Sequence, residues 1–365
     1  VVTILAFLIM LGILVFVHEL GHFAVARWMG IRVEEFGFGY PPRMLTLFER
    51  NGVKYTLNWL PLGGFVRFGG EDNTLYGTGS LAAAKPWRKI PVMLAGPFMN
   101  LLLTIVVFAV LFATQGVPTP TGQQQVTSVY ENTPAATAGF EPGDILVSLD
   151  GQPVRESAQI STIANQNAGT SIPTVVQRGD EELTLDIVPG PWTGPDGQQY
   201  DVGIGIQYTQ IVIQEETNFL GAIGHSTAYT GNLLGQMVSA LAHLPASIGN
   251  MFTTEDTAVG EPIGPVGIAR ATGEVVEQGG LLAFWNLMAI LSLNLFLLNL
   301  LPIPALDGSH IIFSLIELAR GGKKVPPDKE ALVHAMGFAA LMGLMLLISV
   351  NDIINAFQGR SVLGG

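Results

Sequence analysis

Four stretches of the chain run apolar and nearly free of charge: residues 1 to 28, 91 to 113, 281 to 301 with an apolar continuation to Ala319, and 331 to 357. At a helical rise of about 1.5 Å per residue, each predicts a helix able to cross about 30 Å of hydrocarbon. Residues 1 to 17 carry no basic leader and no small-residue cleavage site, so the first stretch is expected to be a retained span and not a signal peptide. Between spans two and three the pattern changes to short alternating runs, QQVTSVY, DILVSLDGQPV, SIPTVVQR and LTLDIV, separated by the turn signals PGD, DGQ and RGD, with one helical run, AQISTIANQ. This predicts a compact β-rich module over 122 to 208. Residues 217 to 262 hold apolar clusters diluted by Gly, Ser, Thr, Asn, Gln, His225 and His243, and predict amphipathic helices lying on the membrane surface. A fifth span there would reverse everything downstream. In the region 29 to 90, the run KYTLNWLPLGGFVRFGG, about 54 to 70, predicts two short strand-like pieces around Leu62, Gly63 and Gly64.

Composition agrees with a membrane protein. Mean hydropathy is +0.43 with 13% charged residues, unlike a soluble protein of 365 residues. Residues 24 to 90 hold nine Lys or Arg against five Asp or Glu, whereas 116 to 280 hold three against eighteen, and a second basic loop carries Arg320, Lys323, Lys324 and Lys329. The positive-inside rule then places both basic loops in the cytoplasm and both termini and the acidic module outside. No basic stripe exists to neutralise phosphates, which excludes nucleic acid as a partner. Cysteine is absent, so a transition metal would be held by His, Asp or Glu.

The first span contains FVHELGHF. In H-E-x-x-H on a helix, His18 and His22 lie one turn apart on one face, where two imidazoles can bind one Zn²⁺, with Glu19 beside them as general base. Ionisable groups are costly inside a span and mark functional sites there. A catalytic zinc site needs a third protein ligand, and NLLPIPALDGSH in the third span offers Asp307 at a break made by Pro302, Pro304 and Gly308. His18 lies nine residues before Arg27 and Asp307 thirteen before Arg320, so both sit at similar depth. The alternatives are that Asp307 caps the helix that follows, and that His310 is the ligand instead. A membrane scaffold with a vestigial metal centre and an ion or metal transporter are the rival classes. The transporter lacks the inverted repeat of broken helices expected of it.

HELGH in a first span, a module after the second, AGPFMN at 95 to 100, GPVGI at 264 to 268 and N-x-x-P-x-P-x-L-D-G in the third resemble the site-2 protease family of intramembrane zinc metalloproteases, in its bacterial regulator-of-sigma-E branch. The resemblance implies a polytopic α-helical membrane protein of about four transmembrane helices, with a membrane-associated β-loop and an inserted extracytoplasmic PDZ-like domain. It implies Zn²⁺ on His18, His22 and Asp307, and Asn299 helping to hold the scissile peptide. The 54 to 70 run, with Leu62, Gly63 and Gly64, resembles the family's re-entrant β-loop proposed to pair with substrate; an ordinary cytoplasmic hairpin is the alternative. Implied partners are single-pass transmembrane substrates within the lipid bilayer, and the implied location is a bacterial inner membrane with the active site towards the cytoplasm. The segment SVYENTPAATAGFEPGDILVSLDGQPV resembles the PDZ fold of bacterial envelope proteases, with Pro134, Gly139, Gly143 and Asp144 before the strand that ends at Gly151. YDVGIGI, Tyr200 to Ile206, looks like its peptide-binding strand in circularly permuted form, so a peptide is a possible partner there. One such module stands here where the best-known enterobacterial members have two.

Overall fold

A computed structural model describes residues 2–69, 79–81, 83–194, 199–250 and 263–358. In chain order the elements are α1 (Val2–Trp28), β1 (Val33–Arg50), β2 (Val53–Phe68), α2 (Pro86–Gln115), β3 (Val117–Val129), α3 (Pro134–Ala138), β4 (Ile145–Leu149), β5 (Gln152–Pro153), α4 (Ser157–Gln166), β6 (Ile172–Arg178), β7 (Glu181–Ile187), β8 (Gly190–Thr193), β9 (Gln199–Gly203), β10 (Ile206–Glu215), α5 (Phe219–Asn250), α6 (Pro265–Leu300), α7 (Asp307–Ala319) and α8 (Pro327–Phe357). They form two compact units, Val1–Leu111 with Asn218–Gly365, and Phe112–Thr217.

Among the described residues, α1, α2, α6 and α8 are long and apolar enough to cross a membrane, and α5 is not one of them. The helices of the larger unit leave many large apolar side chains exposed on their outer faces and bury several polar ones between them, alongside an apolar core. Leu5, Phe98, Leu102, Val106, Phe338 and Leu346 are exposed, whereas His18, His22, Asn100, Thr104, Thr272 and Ser292 are buried. With lipid outside, helices gain little by hiding apolar surface from one another, and interhelical hydrogen bonds and close packing of small residues hold them together. Thr104 Oγ1 donates to the carbonyls of Asn100 and Ala289 at 3.0 and 3.1 Å, and Ser292 Oγ to the Asn100 carbonyl at 2.8 Å, joining α2 to α6. Asp352 of α8 accepts the amides of Gly264 and Gly267 at 3.1 and 2.8 Å, a carboxylate against a helix N-terminus. A Cβ on either glycine would approach that carboxylate to 2.7 or 2.9 Å, which accounts for both glycines of GPVGI.

α6 contains a break at Gly280 (φ 62°), so its spanning half begins where the apolar pattern begins, at 281. α2 starts at Pro86, before the apolar run, because the polar turn carrying Arg88 and Lys89 continues the helix; Lys89 pairs with Glu317 of α7 at 2.9 Å. α5 is one continuous helix running through the expected amphipathic segment to Asn250, and residues 251–262 of that segment, like Gly70 of the β-loop, lie outside the described residues.

The strand-like pieces of 54 to 70 do not form a simple hairpin with each other. Residues 33–38 of β1 pair on one side with 54–57 and on the other with 64–68 of β2, while 43–50 pair with 53–58. Two bent strands thus give a four-segment sheet in the order 43–50, 53–58, 33–38, 64–68, with 64–68 at an edge. Its buried residues Val33, Phe36, Val53 and Phe68 pack with Ala26 of α1 and with Val92 and Met93 of α2.

In the smaller unit the main sheet runs β10-β3-β4-β6-β7, with β5 on β4. Its core holds Val126, Leu146, Leu149, Ile160, Ile163, Val176 and Ile187. Thr133 caps α3, Pro134 opens it, and Gly139 closes it in the left-handed conformation. The expected peptide strand Tyr200–Ile206 is two elements: Gln199–Gly203 pairs with β8, and β10, which forms the sheet edge, begins only at Ile206. Gly205 makes the break at φ +73°, packed so closely on Thr133 that a Cβ would overlap it. Asp144 is fully buried; Arg178 Nε and Nη2 donate to its two oxygens at 2.7 and 2.8 Å and the Glu141 amide at 2.9 Å. Burial alone would raise the Asp144 pKa, but these bonds outweigh it and hold the carboxyl below its usual range. This pair therefore contributes stability that is complete above about pH 4, the unfolded value, and is lost as pH falls through the lower folded one. Arg178→Ala is expected to cost about 2 kcal/mol, less than a fully buried pair because the guanidinium is partly solvated, and to flatten that acid limb. Hydrogen exchange of the β4 and β6 amides against pH reads both effects.

Candidate metal centre

His18 and His22 are buried on one face of α1, with their Nε2 atoms 3.1 Å apart. Asp307 Oδ2 lies 3.1 Å from the first and 3.3 Å from the second. Asp307 is the first residue of α7, delivered by the turn after α6. There Leu301 is extended, Ala305 adopts φ +77°, and Gly308 sits so close to the Leu300 and Leu301 carbonyls that any Cβ would collide with them. His310 is not part of the cluster: it stacks on His334 at 4.2 Å and faces Glu330 at 3.9 Å.

Proton positions show what these three atoms fit. His22 Nδ1 lies 2.7 Å from the Val92 carbonyl, which can only accept, so Nδ1 carries the proton and Nε2 of the neutral ring presents a lone pair. Asp307 Oδ2 is buried and has no hydrogen-bond partner. Lone pairs converging at about 3 Å repel unless a cation lies among them. The edge of a tetrahedron with metal bonds of about 2.0–2.1 Å is ~3.3 Å, so two imidazoles and a carboxylate at these separations suit zinc. Gly96 of α2 keeps the space open: a Cβ there would lie 2.3 Å from His22 Nε2 and 2.8 Å from His18 Nε2.

Asn100, also from α2, was given no role by the sequence beyond its place in AGPFMN. Its amide nitrogen lies 3.2 Å from His18 Nδ1, and its Oδ1 is buried without a partner. Turning the amide about its last torsion puts Oδ1 on His18 Nδ1–H, the tautomer that frees Nε2 for metal and satisfies the orphaned oxygen. Asn100→Ala is expected to weaken zinc binding about 10–100-fold, read by competition with a chelator.

Glu19 is half-buried beside the cluster, with the Val66 main chain of the edge segment 64–68 facing its carboxylate. Gly64 stands 3.8 Å from the Glu19 Cγ when a Cβ is built on it, and a Cβ on Gly63 would overlap Val15 of α1. Gly63 lets this strand lie along α1, while Gly64 allows the close approach of the neighbouring segment's Gly37 carbonyl. The Leu62 side chain lies outside the described residues. Asn299, expected to help hold the scissile peptide, has its amide donating to the Leu295 carbonyl of its own helix at 3.0 Å.

Known proteins similar to this chain are zinc metalloproteases by name. The family model of peptidase family M50 matches residues 6–344. A provisionally named zinc metalloprotease of Agrobacterium fabrum is 34% identical over 371 residues, covering 96% of this chain and 95% of that one. One of Clostridium perfringens is 34% identical over 341 residues, covering 93% and 95%. Zinc metalloprotease RasP of Oceanobacillus iheyensis is 27% identical over 441 residues, covering 97% and 99%. Among solved structures, the PDZ domain of an SdrC-like protein from Listeria monocytogenes is 26% identical with a TM-score of 0.20, covering 24% of this chain and 86% of that one. With the match running through both halves of the metal centre and nearly the whole length of its relatives, the chain belongs to peptidase family M50, the site-2 proteases, and is a multi-pass membrane zinc metalloendopeptidase.

Proposed function

We propose that the enzyme cuts single-pass transmembrane proteins within or beside their spans, after another protease has removed the outer domain, and that it does so in a bacterial inner membrane with the metal centre towards the cytoplasm. The two basic loops, after α1 and after α7, support that orientation. His18, His22 and Asp307 hold the zinc, which when bound polarises the scissile carbonyl and lowers the pKa of its water towards about 7. Glu19 takes the proton of the attacking water on its carboxylate and passes it to the leaving amine. Asn299 contributes to the scissile peptide's grip by rotating away from the Leu295 carbonyl.

A helical substrate bond is shielded by its own hydrogen bonds and has to be unwound, with the freed backbone groups satisfied by protein. The observation that carries the proposal is the edge segment 64–68, whose Val66 main chain faces Glu19, a template for adding the substrate as an extended strand. Beside it a groove of about 350 Å³, lined by Ile9, Ile13, Phe16, Phe38 and Gly63, offers apolar side-chain space. In the smaller unit, a groove of about 790 Å³ between the start of α4 and edge strand β10 suits an extended peptide in the same way. The chain has no cysteine, so the edge is testable by disulfide mapping. In a Glu19→Gln background, Val66→Cys is expected to cross-link to a substrate carrying single cysteines along its span, and Phe48→Cys, on the far segment, is not. Equal cross-linking at both positions, or at neither, would reject the edge as the docking strand.

A further inference from the structure

His334, on α8, is remote in sequence from every zinc ligand and plays no part in the chemistry above. With His310 and Glu330 it makes a second cluster whose ligand atoms lie within 4.8 Å of one another, spacing that suits a metal. Proton positions argue otherwise. The Ala305 amide donates to His334 Nδ1 at 3.0 Å, so Nδ1 supplies the lone pair and Nε2 of the neutral ring carries the hydrogen. A protonated Nε2 does not ligate. It is buried without a hydrogen-bond partner and faces Glu330 Oε1 from 4.0 Å.

The Ala305 bond matters for where it falls. Ala305 lies two residues before Asp307 and adopts φ +77°, a left-handed conformation that a residue with a Cβ holds only when its surroundings enforce it. α8 supplies that enforcement twice on one face. His334 takes the Ala305 amide, and Gly337, three residues on, fits so tightly under Pro304 that a Cβ would lie 2.2 Å from the proline's own.

We propose that His334 is a positioning residue of the zinc centre: as a neutral acceptor for the Ala305 amide it fixes the turn that sets the direction of Asp307. This rests on Asp307 being a zinc ligand. The groups facing His334 are the Ser309 hydroxyl, 3.5 Å from Nδ1 with its hydrogen on the Leu306 carbonyl, His310 and Phe313 of α7 and Glu330 of its own helix, with Lys89 of α2 acting on Glu330. A protonated His334 has no lone pair for Ala305, so the turn loosens in acid.

The test compares full-length protein in detergent carrying His334→Asn, His334→Gln or His334→Leu with wild type and Asp307→Ala, measuring zinc affinity by chelator competition from pH 5.5 to 8. Asn sets an amide oxygen where Nδ1 stands, whereas Gln sets it nearer the Nε2 position. His334→Asn is therefore expected within about threefold of wild type at pH 7.5, with an acid limb one proton shallower, and Gln and Leu are expected to lose about 10–100-fold. A role in volume alone would favour Gln over Asn, and that order overturns the proposal, as does wild-type affinity in His334→Leu. Should Asp307→Ala bind zinc like the wild type, it is the ligand assignment that fails. Thermal melting of the metal-free proteins identifies a variant that has not folded, and Gly337→Leu, which displaces Pro304 and leaves His334 in place, then repeats the test with the same expected loss.

Discussion

Glu19→Gln is expected to keep its zinc and to lose peptide-bond cleavage by about 10²–10⁴-fold, roughly 3 to 5 kcal/mol of transition-state stabilisation. The substitution keeps shape and removes only the ability to take a proton. Glu19 is not among the three atoms that converge, so metal affinity should survive, whereas a glutamine amide cannot take the proton of the attacking water. Zinc content and turnover of a single-pass test substrate, measured on the same preparation, separate the two. Loss of both together would make Glu19 a ligand, and retention of both would remove it from the reaction.

Gly96→Ala carries the second large effect. Alanine in place of glycine ordinarily favours a helix by about 1 kcal/mol, so α2 itself should be no less stable. Its methyl group, however, would lie 2.3 Å from His22 Nε2, where no carbon can stay, and the two imidazoles must swing apart. Zinc affinity is expected to fall by more than the about 100-fold that accompanies loss of an outer-shell partner. Chelator competition measures this, and an unchanged melting temperature of the metal-free protein shows that the loss belongs to the centre and not to the fold.

Much of this centre is written locally in the chain. His18 and His22 are legible because helical periodicity alone puts them on one face, and Asp307 because two prolines and a glycine announce a broken span at matching depth. Gly96, Asn100 and His334 are not legible in the same way. Each acts through a neighbour on another helix, and hydropathy reports which residues suit lipid, not which helices touch. The same limit explains the strand 33–50, whose FGFGYPPRMLTLF lacks clean alternation because one part of it pairs on both sides and another on one. It explains YDVGIGI as well: the period is strand-like throughout, yet Gly205 turns the chain between two different sheets. Asn299 is the reverse case, a residue singled out by motif whose amide the fold occupies with a bond to its own helix.

The most direct test of a membrane protease working through this one zinc is a titration. The enzyme, stripped of metal in detergent, is reloaded with measured equivalents of zinc in the presence of a single-pass substrate, and the products are identified by mass spectrometry. Cleavage within or beside the span that is absent without zinc, rises in proportion to the first equivalent and fails in Asp307→Ala is the predicted result. Cleavage that survives stripping, or cuts confined to the substrate's soluble domains, would contradict it.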